Sequence, residues 1–397
     1  MEFRQLAHLV LITMALTGCC PQRQTVPTSR PTSVSQRFEF RQQDLDDSIE
    51  NRLAQKGAAR PLGVLALSGG GSNGAWGAGF LAGWQADGSR PEFDLVTGVS
   101  TGGLLATGAF LGDDALLEKA FTTTTDADVK GSRSWISIPF SDSVYTSGPL
   151  KNLIHKYITN AVIDRVASEG AKHRRLYVAS TDLDSGKLHI WDLTAIAGAW
   201  EYELYRTVLL ASASAPVIFP PVEIDGTLHA DGGVKANLFF RNKLLPGIAA
   251  GHHRARQRLN SDTRPAGTTR PSAPARPASL PAAPEPTIYV IVNGQLGPTY
   301  PAAQDCLLPL AERAVNCLMD SNNIGCLYEI KYWARDLHYD FRLCFIPSQV
   351  QACESFTFDQ AKMQALYVAA KTYGQQYGRE QKWMDIPDVE EASGAAR

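Results

Sequence analysis

The sequence predicts a three-layer α/β/α fold built on a mostly parallel central sheet. Two observations carry that expectation. Between about residues 58 and 378, short apolar runs rich in β-branched residues alternate with longer helix-like stretches, the rhythm of parallel strands joined by helical crossovers. Within this region LSGGGSNGAWGAGF (residues 67–80) and GVSTG (residues 98–102) each follow such a run and open a helix-like stretch. They stand about thirty residues apart, the length of one βαβ unit.

Strands are expected over residues 62–67, 93–99, 175–181, 187–192 and 287–293, where apolar residues cluster between turn formers. Helices are expected over residues 74–85, 102–111, 150–160, 203–212 and 359–377. Near the last of these, Phe358, Leu366, Ala370, Tyr373 and Tyr377 fall close to one helical face, so it packs on the sheet. One segment breaks the rhythm. Residues 254–286, RARQRLNSDTRPAGTTRPSAPARPASLPAAPEP, hold many prolines and two leucines, a composition that cannot form a core element. The segment reads as a disordered surface insertion within one domain, because the apolar run IYVIV resumes directly after it.

A chain of 397 residues with 44% hydrophobic content can bury a full core, and a formal net charge of -2 without long basic or acidic runs argues against a nucleic-acid partner. The amino end, MEFRQLAHLVLITMALTGCC, has the layout of a secretory signal: a basic residue, an apolar stretch too short to span a bilayer, and small residues before a cysteine. Leu16-Thr17-Gly18-Cys19 resembles the lipobox of bacterial lipoproteins, which implies a signal peptide over residues 1–18 and a lipidated Cys19. Cys20 stands where an aspartate would retain a lipoprotein in the inner membrane, so the same resemblance implies the outer membrane of a Gram-negative cell. Residues 19–45 then form a lipidated N-terminus and flexible tether reaching roughly 25–30 Å, residues 58–378 the folded domain, and residues 379–397 a C-terminal tail. Cys306, Cys317, Cys326, Cys344 and Cys353 cluster late in the chain, where an oxidising compartment favours disulfides. Their odd number leaves one unpaired or joined to Cys20. Zinc is the weaker use, because no CxxC spacing supports it.

Gly69, Gly71 and Gly74 spell GxGxxG, the dinucleotide-binding pattern, which requires an acidic residue about twenty positions on at the end of the next strand. Asp94 lies near that distance, but it begins the run DLVTGV instead of ending it. A P-loop fails as well, since Asn73 stands where a lysine is needed and no GK[ST] follows. The next strand supplies the alternative. FDLVTGV leads into Gly98-Val99-Ser100-Thr101-Gly102, a GxSxG between strand and helix, which is the context of a nucleophile elbow. A right-handed crossover places both glycine turns at the carboxyl ends of parallel strands. There the backbone N–H groups of the first can meet the oxyanion formed when Ser100 attacks an ester. Gly77, Gly79 and Gly83 are explained by close packing of the helix that follows.

A serine nucleophile needs a base. His252, His253 and His338 sit in no recognisable catalytic turn. Asp231, in TLHADGGV, ends an extended run against a Gly-Gly turn. Satisfying its own backbone is the commoner use of such an aspartate; accepting a proton is the functional one.

Together these residues resemble the patatin-like phospholipase family, in which a Ser-Asp dyad replaces the triad. SGGGSNGAWG is similar to the family's glycine-rich oxyanion loop, GVSTG to its elbow and ADGG to its DG[GA] motif. LYVASTDLDSG, LLASASAPVIFPPV and DGGVKANLF look like the blocks around these motifs in its bacterial lipoprotein members. The resemblance implies a patatin-like fold, Ser100 as nucleophile, Asp231 as base, backbone N–H groups of Gly69, Gly70, Gly71 and Gly74 as oxyanion hole, and Gly98 and Gly102 as elbow glycines. It also implies no metal or cofactor, and membrane lipids as substrates, cleaved in the manner of a phospholipase A or lysophospholipase. Asn73 departs from the Arg or Lys common in that loop, leaving the backbone donors but removing a positive charge. An aspartate at its ordinary pKa is a weak base for a serine, so a buried site is expected to raise its basicity. The apolar WISIPFSDSVY, residues 135–145, is either a loop admitting acyl chains or a packed connection. Two readings compete with hydrolysis: acyl transfer through the same acyl-enzyme, and lipid binding without catalysis. The oligomeric state is open.

Overall fold

The computed structural model describes residues 33–56, 60–134, 141–240, 244–262, 284–297, 302, 305–380 and 383–386. The expected signal peptide, Cys19 and Cys20, residues 135–140 of the apolar loop, and most of the proline-rich segment lie outside the described residues. Among the described residues one mixed sheet contains β1 (Gly63–Leu67), β2 (Leu95–Val99), β3 (Arg175–Asp182), β4 (Lys187–Asp192), β5 (Val222–Ile224), β6 (Thr227–Asp231), β7 (Thr287–Ile291) and β8 (Asp340–Cys344). β8, β7, β1, β2 and β3 run parallel in that spatial order. β4 and β6 pair antiparallel with β3, and β5 with β6.

GVLAL, LVTGV and TIYVI are buried along their whole length, as strands covered on both faces must be. Alternate side chains divide between two cores. Leu65, Leu67, Val96, Val178 and Ile291 face one helical layer, formed chiefly by the helices Gly74–Ala86, Thr101–Leu111, Tyr202–Ser212 and Gln360–Glu380. Val64, Ala66, Leu95, Tyr177, Ile288 and Val290 face the other, formed by the helices Gln42–Lys56, Leu244–Asp262 and Leu307–Asp336. This is the expected three-layer α/β/α arrangement.

All five expected helices lie in or beside the first layer. The second layer comes from segments read otherwise. The helix Gln42–Lys56 starts within the stretch assigned to a tether, and Phe38 and Phe40 ahead of it are already buried. It docks through Leu45, Ile49 and Leu53, one apolar residue per turn in an otherwise polar sequence. The helix Leu244–Asp262 continues through residues 254–262, the start of the supposed insertion. Ala255 is buried there, Arg254 Nε is 2.8 Å from Glu50, and Arg256 is 2.6 Å from Glu285. Pro246 sits in the first turn, where its missing N–H costs nothing. At the carboxyl end, Trp383 packs on Phe80, Trp84 and Tyr289, and Met384 bridges Leu343, so part of the expected tail belongs to the fold. No disulfide forms among the five late cysteines: Cys306 and Cys317 are exposed, Cys344 and Cys353 are buried, and Cys326 donates to Asn322.

Asp94 has a structural use. Its buried carboxylate accepts from Arg52 Nε at 2.8 Å, Lys56 Nζ at 2.6 Å and the Gly63 N–H at 2.8 Å, tying the helix Gln42–Lys56 to the amino edge of the sheet. Breaking a buried, hydrogen-bonded ion pair from one side is strongly destabilising. Asp94→Ala is therefore expected to lower unfolding free energy by about 3 kcal/mol, read as a lower urea midpoint; an unchanged midpoint would remove Asp94 from this role.

Candidate active site

β3 is the template on which the site is assembled. β2 runs alongside it as far as the pair Val99↔Ala179, and β6 arrives from the opposite direction to end at the pair Asp231↔Ser180. β4 occupies the other edge of β3 over this whole stretch, so β2 and β6 share one edge and meet end to end. A Cβ placed on Gly232 would lie 2.9 Å from Val99 and 2.5 Å from the Ala179 carbonyl, which is how closely the two strand ends abut. The chain leaves each end at once. Ser100 turns into the helix Thr101–Leu111, and Asp231 turns into the short 3-10 helix Gly232–Val234.

Ser100 stands at φ 54°, ψ -127°, a conformation costly for a residue with a Cβ and one that persists only when its surroundings impose it. The surroundings here are specific. Its N–H donates to Ser212 Oγ at 2.9 Å, while Ser212 Oγ donates to the Ala179 carbonyl at 2.7 Å. Gly102 lets the elbow helix press on the end of β1, since a Cβ there would be 2.3 Å from the Leu67 carbonyl. The Asp231 N–H donates to the Ser214 carbonyl at 2.8 Å, so the ASAS segment holds the backbone of both residues. The Asp231 carboxylate accepts from the Gly233 N–H at 2.7 Å and lies beside the Ser100 hydroxyl. Asp231 is 2% exposed, and burial pushes its carboxyl up to about 6, against the lowering effect of those two groups.

The glycine loop follows β1, the strand beside β2. Of its four candidate donors, two have partners: the Gly69 N–H donates to Asn237 Oδ1 at 3.0 Å, and the Gly74 N–H to the carbonyls of Gly71 and Ser72. Gly70 and Gly71 have N–H groups with no acceptor among the described residues. The expected set of four thus narrows to Gly70 and Gly71. Gly71 has φ +59°, and a Cβ on it would collide with the Ser355 carbonyl at 1.7 Å. The loop is held by neutral amides. Asn293, just after β7, donates its N–H to Ser68 Oγ at 2.9 Å and its side-chain amide to the Ser68 carbonyl at 2.6 Å. Asn237 passes the Gly69 contact on to Asn323 at 2.9 Å, in the helix Leu307–Asp336. Ser212, Ser214, Asn237 and Asn293 had no role in the sequence reading; the first three lie in blocks resembling the family.

An apolar cavity opens from Ser100, Thr101 and Gly71 and is walled by Leu104, Leu117, Phe121, Leu150, Ile154 and Phe356 among others. Among the described residues no histidine is bonded to Ser100 or Asp231. His229 pairs with Ser180 Oγ at 3.0 Å, and burial lowers its imidazole to about 4, so it stays neutral near pH 7. His252 faces Glu285 ahead of β7, and His338 precedes β8, both at the amino end of the sheet, away from the serine.

Such an arrangement can remove a proton from Ser100 only while Asp231 is ionised. With its pKa raised to about 6, the rate at which a fluorophosphonate labels Ser100 is expected to climb with pH through about 6 and level off above about 7. A plateau already reached near pH 5 would mean an unshifted carboxylate.

The family model for patatin-like phospholipases matches residues 65–242, which contain the glycine loop, Ser100 and Asp231. A cGAMP-activated phospholipase from Pseudomonas aeruginosa (strain BWHPSA011 / Pa011) is 31% identical over 188 residues, covering 44% of this chain and 53% of that protein. The chain therefore spans about half the length of this curated relative. The crystal structure of VipD from Legionella pneumophila is similar at 12% identity and a TM-score of 0.36, over 80% of this chain and 67% of that one. The likeness to the patatin-like phospholipase family is thus carried by residues 65–242, less than half of the chain.

Proposed function

We propose that this protein is a serine acyl hydrolase that cleaves lipid ester bonds with a Ser100–Asp231 dyad. The observation that carries the proposal is the placement of Ser100, which lines an apolar cavity, beside a buried carboxylate with raised pKa where β2 and β6 meet. Asp231 takes the Ser100 hydroxyl proton as Oγ bonds the acyl carbonyl carbon. The N–H groups of Gly70 and Gly71 hold the resulting oxyanion, each such donor being worth on the order of 3 kcal/mol. The C–O bond to the alcohol then breaks, and Asp231 returns its proton to the leaving oxygen. Water, deprotonated in turn by Asp231, releases the fatty acid from Ser100.

The cavity walls suit an acyl chain better than any polar group, which supports phospholipase A or lysophospholipase chemistry. The lipobox-like sequence at Cys19 supports placement of the enzyme on a bacterial outer membrane, next to its substrates.

Two variants and one control test the dyad. Ser100→Ala and Asp231→Asn are expected to lower fatty-acid release from phosphatidylcholine or lysophosphatidylcholine vesicles by at least about 10³-fold, while His338→Ala keeps wild-type rates. The reverse pattern, a dead His338→Ala with an active Asp231→Asn, would replace the dyad with a triad. Asp231→Asn carries a second signature. Because the native carboxyl has the higher pKa, the native state binds the extra proton, and its advantage is lost as pH rises from about 3.8 through about 6. At pH 7 the neutral amide is expected to be more stable than wild type by about 1–3 kcal/mol, seen as a higher melting temperature.

A further inference from the structure

Residues 353–358 cross the glycine loop as a strap, outside the family-matched region. Asn73 Oδ1 accepts from the Cys353 N–H at 2.7 Å, and Asn73 Nδ2 donates to the Cys353 carbonyl at 3.1 Å. Ser72 Oγ donates to the Glu354 carbonyl at 2.9 Å, and the Ser72 N–H to the Ser355 carbonyl at 2.9 Å. The Ser355 carbonyl fills the space where Gly71 lacks a Cβ. From the elbow side, Thr101 Oγ1 donates to the Gly71 carbonyl at 2.9 Å. Gly71 is thus clamped between the nucleophile's helix and the strap. The same strap also puts Phe356 and Phe358 into the wall of the cavity that starts at Ser100.

The side chain of Asn73 is suited to this clamp. It meets the backbone N–H and C=O of one residue, Cys353, with an acceptor and a donor at once, which Lys and Arg, having donors only, cannot do. Asn73 is 4% exposed, so its amide is committed to the strap and not to solvent.

We propose that the strap couples acyl-chain length to the oxyanion loop, with Asn73 as the positioning residue of that coupling. A long acyl chain that reaches Phe356 packs the strap against the loop, and the strap's backbone, through Asn73 and Ser72, holds Gly70 and Gly71 at the oxyanion. A short chain leaves Phe356 uncovered and the donors less well placed. The preferred substrates are therefore esters of long-chain acids, selected in kcat as well as in KM. This inference rests on the acyl-hydrolase reading above.

The test uses the purified full chain with p-nitrophenyl esters from acetate to hexadecanoate, resolving kcat and KM at each length. Wild-type kcat is expected to rise with length by on the order of tenfold or more, the scale of a small misplacement of catalytic groups. In Asn73→Ala that rise flattens, while KM keeps its dependence on length because the cavity walls are intact. Asn73→Asp, which keeps the acceptor and loses the donor, falls between the two. Ser72→Ala removes the side-chain contact to Glu354 while keeping the N–H bond to Ser355, and it carries the test, through a partial flattening, if Asn73→Ala does not fold. A fall by the same factor at every length would make Asn73 merely structural, and a wild-type kcat independent of length would also overturn the coupling. Both outcomes leave the hydrolase reading standing. Wild-type protein that hydrolyses none of the esters would overturn the hydrolase reading, and this inference with it.

Discussion

The site depends on one constraint, the backbone pairing that makes β2 and β6 share a single edge of β3. Two strands arriving from opposite directions must stop where they meet, and the residues next to that meeting point are Ser100 and Asp231. Their proximity is therefore set by peptide hydrogen bonds of the sheet and not by attraction between side chains. This matters for the chemistry. A carboxylate drawn into place by a cation would keep a low pKa, whereas the sheet brings Asp231 into the interior without one. Burial acts on it opposed only by the neighbouring Ser100 hydroxyl and Gly233 N–H, and it ends more basic than an ordinary aspartate.

Each unusual feature of the site costs stability locally and is held by a rigid neighbour. The left-handed backbone of Ser100 is secured by Ser212, which itself hangs from β3. The glycine loop is secured on three sides, by Asn293 after β7, by Asn237 and the helix Leu307–Asp336, and by the strap. The helix Gly74–Ala86, which continues the loop, meets the helix Gln360–Glu380 at a distance only glycine allows, with a Cβ on Gly83 falling 2.0 Å from the Lys371 carbonyl. Two N–H groups, those of Gly70 and Gly71, are then left without an acceptor among the described residues on an otherwise bonded loop, which leaves them available to an oxyanion.

Much of this was legible in the sequence, and the limit has a physical basis. The parallel strands β1, β2, β3 and β7 announced themselves through their apolar runs and the first-layer helices through their apolar faces, whereas β8, DFRLC, went unread because Asp340 and Arg342 interrupt it. The second layer did not. Its helix Gln42–Lys56 shows the core only Leu45, Ile49 and Leu53, and the helices Leu244–Asp262 and Leu307–Asp336 carry Pro246, Pro309 and paired asparagines that read as loop. Ser100 and Asp231 stood out through GxSxG and ADGG, since turn geometry demands glycine at fixed offsets. The residues that hold them, Ser212, Asn237, Asn293 and Asn323, are ordinary polar residues whose partners lie far away in sequence, and only the fold reveals which peptide groups they serve. For the same reason Gly69 and Gly74 looked equivalent to Gly70 and Gly71 until their own acceptors were seen.

Asn73 links these strands of argument. A cation in the glycine loop would stand near the end of β1, one strand from Ser100, where the low-dielectric interior lets its field reach Asp231 and favour the charged carboxylate. That would lower the base's pKa and weaken it. The amide of Asn73 secures the loop just as firmly through Cys353, but adds no charge, as do Asn237 and Asn293 on the other sides. A scaffold built of neutral amides can thus support the glycine loop without adding a charge that would offset the effect of burial on Asp231. The loop's departure from Arg or Lys fits the proposed Ser100–Asp231 dyad, in which a buried aspartate is the base.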